Sequence, residues 1–324
     1  VSRSDYSFWV CGRNNDGQLG DGTTIDRNAL LNIADGVMAI SAGGDHSLIL
    51  KTDNSLWASG RNDGGQLGDG TNTDRNTLVK TADGVKAISA GRYHSLVLKT
   101  DNSLWASGFN DEGQLGDGTN TDRNMLVKIA DGVMAISAGG EHSLILKTDN
   151  SLWACGDNTY GQLGDGTNTN RNMLVKIADG VKAISAGGGF SLVVKSDNSL
   201  WACGDNFDGQ LGDGTNTDRN TLVKIADAVQ SISAGRFHSL VLKSDNSLWA
   251  SGYNGEGGLG DGTNTGRNTL VKTADGVKAI SAGGYHSLIL KTDNSLWACG
   301  YNNDGQLGDG STTDRNTFVS VFLP

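Results

Sequence analysis

Proline is all but missing from this chain: one residue in 324, the terminal Pro324. Its scarcity excludes a disordered Pro/Gly tract, so the 48 glycines, roughly twice the usual share, read as the residues of many tight turns. Excess positive charge is missing too. The formal net charge is −10, which argues against a nucleic-acid partner, because phosphate-backbone binders carry a basic face. No apolar run approaches the ~20 residues of a membrane helix and no signal peptide is visible, so no membrane partner is expected. Nor does any stretch hold apolar residues at helical spacing long enough for a good helix. The chain opens on Val1 rather than Met, and the expectation is that something upstream has been removed. Localisation stays open, with a secreted or cell-surface setting favoured over the cytoplasm.

What is present is repetition. Trp9, Trp57, Trp105, Trp153, Trp201, Trp249 and Trp297 follow one another at intervals of 48 residues. A fixed period of about 20–50 residues marks solenoids, propellers and arrays. Within one unit, VKAISAG, HSLVLK, SLWASG and NTLVKTAD are four short β-type runs. They are separated by TDNS, by the long NDEGQLGDGTNTDRN and by ADG, all turn chemistry. The pattern predicts an all-β, seven-bladed β-propeller of near-identical, four-stranded 48-residue repeats. A β-solenoid would need shorter rungs and end caps. The chain reads as one propeller domain over 1–324: a partial first repeat over 1–40, then repeats 41–88, 89–136, 137–184, 185–232, 233–280 and 281–324.

Seven full units would need twelve more residues than the chain has. The shortfall corresponds to one copy of VKAISAGGYHSL, an innermost strand and the start of the next. One blade is therefore expected to be incomplete, without its inner half. An unpaired strand edge is costly, so the natural chain is expected to extend before Val1. The alternatives are a ring that stays notched and a neighbouring chain that fills the gap.

The pattern A-G-x-x-H-S-L, then L-W-A-[SC]-G, then N-x-x-G-Q-L-G-D-G resembles the repeat of the regulator of chromosome condensation family. The resemblance spans essentially the whole chain and implies the propeller fold. The family includes an exchange factor for the small GTPase Ran, a plant UV-B photoreceptor and a bacterial secreted inhibitor of β-lactamases, and this chain is closest in logic to the last. In the photoreceptor branch a G-W-R-H-T motif places tryptophan before the histidine. Arg92-Tyr93 and Arg236-Phe237 stand there instead, which speaks against a photoreceptor.

Several residue sets invite chemistry and have plainer readings. The seven tryptophans at one strand position read as inter-blade core. His46, His94, His142, His238 and His286 share one repeat position, too far apart to converge on one ion. They read as satisfied structural histidines, and Phe190 fills the same slot in one repeat. Cys11, Cys155, Cys203 and Cys299 alternate with Ser59, Ser107 and Ser251. Equivalent atoms on a third strand out lie on the order of 14 Å apart, beyond the about 7 Å that a disulfide spans, so four free, mostly buried thiols are expected. The Asp/Asn/Gly-rich loops do not meet the EF-hand spacing. Asp21, Asp69 and their equivalents are read as capping the loop with Arg27, Arg75 and Arg123 as partners, with calcium as the alternative. No nucleophile stands with a base and no ligands cluster, so neither an enzyme nor a bound metal or cofactor is expected.

Variation between units is confined to two places. One is the pair before the histidine: Gly44-Asp45, Arg92-Tyr93, Gly140-Glu141, Gly188-Gly189, Arg236-Phe237 and Gly284-Tyr285. The other is the start of the long loop: Arg13, Arg61, Phe109, Asp157, Asp205, Tyr253 and Tyr301, with Tyr160, Phe207, Asp208 and Glu256 just beyond. With strands lettered A to D outward from the channel, the A–B and C–D connections emerge on one face and the others on the opposite face. Both variable places lie on the first. Eight of thirteen Tyr and Phe residues sit there, and exposed Tyr, Phe and Arg together match interface hot spots.

These positions predict a protein-binding face carried by Arg92, Tyr93, Phe109, Tyr160, Asp205, Phe207, Asp208, Arg236, Phe237, Tyr253, Tyr285 and Tyr301. Asp45, Glu141, Asp157 and Asp205 fill the other sectors, so a partner with an apolar protrusion and a basic rim fits. The expected protein is a monomeric binder, possible in an inhibitor's role, with a β-lactamase-like enzyme as one candidate partner. A lectin is the second reading, although a multivalent lectin would repeat one site in every blade. Nucleotide exchange on a GTPase ranks last, because no blade carries an insertion to act as a wedge.

Overall fold

The structure is a computed structural model describing residues 6–322. β1 (Phe8–Gly12) and β2 (Arg27–Ala34) pair into a two-stranded antiparallel sheet. β3 (Val37–Ala42), β4 (His46–Lys51), β5 (Leu56–Gly60) and β6 (Arg75–Ala82) then form a four-stranded antiparallel meander. The same sheet recurs over Val85–Ala130, Val133–Ala178, Val181–Ala226, Val229–Ala274 and Val277–Val321. These sheets are blades 1 to 6, each with strands A to D from the inside out. The described residues thus form an all-β propeller with six complete blades and one blade of two strands, C and D, rather than seven complete blades.

Each blade follows from its sequence. Strand B is apolar on both faces and buried along its length, His94 to Leu98 for example, because it is sandwiched between neighbouring blades. The outer D strand keeps Asn76, Thr77 and Lys80 in water. The B–C connection closes on Asn54, whose φ of 63° suits asparagine in a tight turn. Asp53 locks it by accepting hydrogen bonds from Ser55 N–H (2.9 Å) and Ser55 Oγ (2.6 Å).

The core lies between blades, not within them. Leu48, Leu50, Leu56 and Ala58 of blade 1 pack against Val85, Ala90 and Val97 of blade 2, with Trp105 leaning on the cluster. Trp153, Trp201, Trp249 and Trp297 repeat that contact around the ring. The expected inter-blade packing thus holds for these tryptophans and for Trp57, but as half-buried lids rather than deep core. Lys99 Nζ sits 4.3 Å from the Trp105 ring centre, a cation–π cover.

Candidate protein-interaction face

The long C–D loop is organised from inside by an asparagine. Asn62 is fully buried. Its Nδ2 donates to Asp69 Oδ1 (3.0 Å), Thr71 O (3.1 Å) and Thr73 O (3.2 Å), and its Oδ1 accepts from Leu67 N–H (3.0 Å). Asp69 also accepts from Thr71 N–H and Oγ1, and its other oxygen takes Arg75 at 2.8–2.9 Å. The expected Asp–Arg pairing therefore holds, as it does for Asp21–Arg27 and Asp117–Arg123. Burial works against ionisation of Asp21, but hydrogen bonds from Thr23 and Arg27 win and hold its carboxyl down to about 2. Protein donors already fill the oxygens of these carboxylates. The loop then leans on the next blade: Gly70 N–H donates to Asn124 O at 2.8 Å. A Cβ on Gly65 (φ 83°) would come within 2.3 Å of Asn124 Cα, so only glycine fits.

On this frame the two variable places of each blade are joined by one main-chain hydrogen bond. The first N–H of the C–D loop donates to the carbonyl of the residue before the histidine, or before Phe190 in the one unit that lacks it. The pairs are Arg61 to Asp45 (2.8 Å), Phe109 to Tyr93 (3.1 Å), Asp157 to Glu141 (2.8 Å), Asp205 to Gly189 (2.9 Å), Tyr253 to Phe237 (2.9 Å) and Tyr301 to Tyr285 (3.1 Å). The side chains of both places are therefore neighbours on one face.

The structure sorts the twelve candidate residues into groups. The largest spans blades 5 and 6. The Phe237 ring centre lies 5.3 Å from Tyr285 and 6.3 Å from Tyr253, while Tyr285 lies 5.8 Å from Tyr253 and 6.3 Å from Tyr301. The Arg236 guanidinium sits 4.8 Å from the Phe237 ring centre. A smaller group belongs to blade 2, where Tyr93 and Phe109 meet edge to face at 5.6 Å and Arg92 lies 4.7 Å from the Tyr93 ring. Most of these rings are half-buried against one another, so their exposed edges form patches rather than isolated side chains. Tyr160, Asp205, Phe207 and Asp208 join neither cluster. Phe207 is 80% exposed and, with Asp208, lines a shallow groove shared with Gly266 and Arg267 of blade 5.

Acidic residues fill the arc between the clusters. Burial, reinforced by Asp157, raises the Glu141 carboxyl above its ordinary value. Burial and Asp205 do the same for Asp208.

Family models for the regulator of chromosome condensation (RCC1) repeat match residues 7–50, 53–98, 101–146, 149–194 and 197–242 in one form, and six segments between 38 and 306 in another. The chain belongs to the RCC1-repeat family. This RCC1-repeat propeller superposes on human WBSCR16 with a TM-score of 0.89 at 21% identity, over 99% of this chain and 95% of that one. Yeast RCC1 (Prp20), solved bound to Kap60, gives 0.88 at 18% identity, over 100% and 85%. Prp20p from Saccharomyces cerevisiae, whose binding to Gsp1p and histones has been described, gives 0.86 at 21%, over 99% and 87%. At these identities the likeness is one of fold. No curated protein sequence matches the chain.

The RCC1-repeat frame explains the remaining sequence candidates. Ser95 spends its one hydroxyl hydrogen on Gln66 O (2.7 Å), so its Oγ accepts from His46 Nε2–H (2.9 Å) in the preceding blade. The histidines are thus cross-blade ties, but not fully satisfied ones: Nδ1 of His46, His94 and His142 is buried without a partner. Burial pushes His46 and His142 down to about 4 and His94 to about 3, so they are neutral. All four cysteines are free thiols, three of them buried. Burial raises Cys155 and Cys203 to about 12, and each lies 3.5 Å from a loop carbonyl of the preceding blade, the place serine takes elsewhere. Sequence reasoning left out of the binding face Glu256, which accepts from the Tyr253 hydroxyl at 3.1 Å. It also missed Arg61, 5.9 Å from the Tyr93 ring. Their place among the variable loop residues was the available signal.

Proposed function

We propose that this RCC1-repeat propeller is a non-enzymatic protein-binding scaffold that engages its partner through the face carrying the A–B turns and C–D loops. The observation that carries this reading is the cluster of Arg236, Phe237, Tyr253, Tyr285 and Tyr301, packed ring on ring across two blades. Aromatic and arginine side chains already held by their neighbours lose little entropy on binding and supply much of the energy of protein interfaces. The acidic arc beside the cluster favours a partner whose apolar protrusion is rimmed by basic residues. An inhibitor's role, with a β-lactamase-like enzyme as one candidate target, is the narrower form of this reading.

Because the variable side chains differ from blade to blade, they supply one composite surface rather than a repeated sugar site. The test is a pull-down from native extracts with the wild type and with Phe237, Tyr253, Tyr285 and Tyr301 changed to alanine, followed by titration of the captured protein. Each anchor is expected to be worth about 2 kcal/mol or more, roughly a thirtyfold change in Kd. Circular dichroism controls for folding. A quadruple variant that folds and keeps full affinity refutes the face assignment, and saturable binding to a glycan array replaces it with the lectin reading.

A further inference from the structure

One unit omits a side chain that its neighbours share. In each C–D loop the asparagine hub also donates its main-chain N–H to a side-chain oxygen twelve residues on. Asn62 reaches Asp74 at 2.7 Å, while Asn110 reaches Asp122, Asn158 reaches Asn170 and Asn206 reaches Asp218, all at 2.8 Å. In blade 5 the corresponding position is Gly266. Asn254 is only 1% exposed, and its N–H has no acceptor among the described residues. The backbone does not call for glycine here, because Gly266 is not at positive φ. A Cβ there would come no closer than 3.3 Å, to Gly252 O, with Asp208 O next at 3.9 Å.

Blade 3 shows which group fits. Its equivalent of Gly266 is a carboxamide. Asn170 Oδ1 accepts from Asn158 N–H, and Asn170 Nδ2 donates to the Glu112 carboxylate of the preceding blade. One amide thus ties a buried N–H to an acid across the junction. Both of those partners have counterparts between blades 4 and 5. Asn254 N–H stands in the place of Asn158 N–H, and Asp208 in the place of Glu112. The Asp208 carboxylate makes no hydrogen bond or ion pair among the described residues. Gly266 and Asp208 line one groove, and Phe207, 80% exposed, forms its apolar wall. The Phe207 position holds Asp63, Asp111, Thr159 and Gly255 in the neighbouring blades, so this ring is peculiar to the junction that lacks the tie.

We propose that this groove binds an asparagine or glutamine side chain of a protein partner. The carboxamide oxygen accepts from Asn254 N–H, its NH2 donates to Asp208, and its stem lies against Phe207. A carboxylate would meet the Asp208 charge, an ammonium would leave the N–H bare, and a hydroxyl would have to serve both from one atom. A ligand that lacks either group leaves a polar partner unpaired, which is the source of selectivity. This selectivity rests on the protein-binding reading of the face and names a side chain that the face accepts.

The probe is the capped tripeptide GQG, with acetyl and N-methylamide ends, titrated into the 324-residue chain while the Asn254 amide is followed by NMR. A saturable shift of that amide is expected, with a Kd on the order of 10 mM, since two hydrogen bonds give little net affinity. The GEG and GLG counterparts should bind at least about tenfold more weakly. Gly266→Asn supplies the carboxamide from the chain itself, so it should slow hydrogen exchange at Asn254 and abolish the response. No saturable shift, equal affinity for GQG and either counterpart, or a response that survives Gly266→Asn overturns the inference. The alanine variant of the aromatic cluster leaves Gly266 in place. A partner lost from that variant, beside an Asn254 amide that ignores GQG, removes the carboxamide groove and keeps the face.

Discussion

One position breaks the repeat in a way that allows a quantitative test. The D–A link of five blades turns on glycine at positive φ: Gly36, Gly84, Gly132, Gly180 and Gly276, at 65–69°. The sixth copy carries Ala228 at φ 60°. The backbone does not adapt, because Ser244 N–H still donates to Ala228 O (3.0 Å) as Thr100 N–H does to Gly84 O (2.8 Å). An L-residue in this region costs about 1–2 kcal/mol. Glycine gives back about 0.4–1 kcal/mol through its greater freedom in the unfolded chain. Ala228→Gly is therefore expected to stabilise by about 1 kcal/mol, which corresponds to a melting shift of about 1–2 °C for a chain of this size. Gly180→Ala is the mirror experiment. A Cβ there meets nothing within 4 Å, so the backbone term stands alone and a loss of similar size is expected. Urea midpoints read the global effect, and amide exchange at Ser244 or Ser196 reads the local one. A neutral Gly180→Ala, or an Ala228→Gly that destabilises, refutes the reasoning.

Acid should weaken the propeller through its histidines. Their folded pKa values are lowered, so protons bind the unfolded chain first, and stability falls as pH drops below about 6.5 towards 4. Each buried histidine contributes at most about 2 kcal/mol of this loss at pH 5. His94→Phe, which copies Phe190, should flatten the pH dependence of the urea midpoint by one proton's worth, and an unchanged slope counts against burial as the cause. Asn110→Ala empties the centre of a C–D loop, where its amide makes hydrogen bonds to Asp117, Thr119, Thr121 and Leu115. A loss of about 3 kcal/mol or more in denaturant unfolding is expected. Cys155, Cys203 and Cys299 should resist a thiol reagent in native buffer and react once urea unfolds the chain, while rapid native labelling of all three contradicts their burial.

Much of the fold was legible because the sequence repeats its own answer. The tryptophan spacing set the blade, TDNS and ADG set the turns, and the count of units located the shortfall that the two-stranded blade displays. What period and composition could not convey is contact between blades. Asn62 looked like one polar loop residue among many, yet it is the buried hub of its loop. Tyr253, Phe237 and Tyr285 stood far apart in sequence as members of variable sets. Their ring contacts depend on the angle at which adjacent blades meet, which no single repeat encodes. The histidines illustrate the same limit, since their serine partner lies in the following unit and only the packing reveals the bare Nδ1.

The hydrogen bond that joins the two variable places of a blade is made by main-chain atoms alone. The frame therefore does not inspect what side chain stands at either end, and glycine, arginine, aspartate and tyrosine all leave it intact. Position around the ring becomes the only address a side chain has. Exchanging two whole 48-residue units would move their variable side chains to new bearings while each unit kept this main-chain bond. A surface of this kind can be reassorted by shuffling units as well as by point substitution, so the order of the blades is itself part of its pattern.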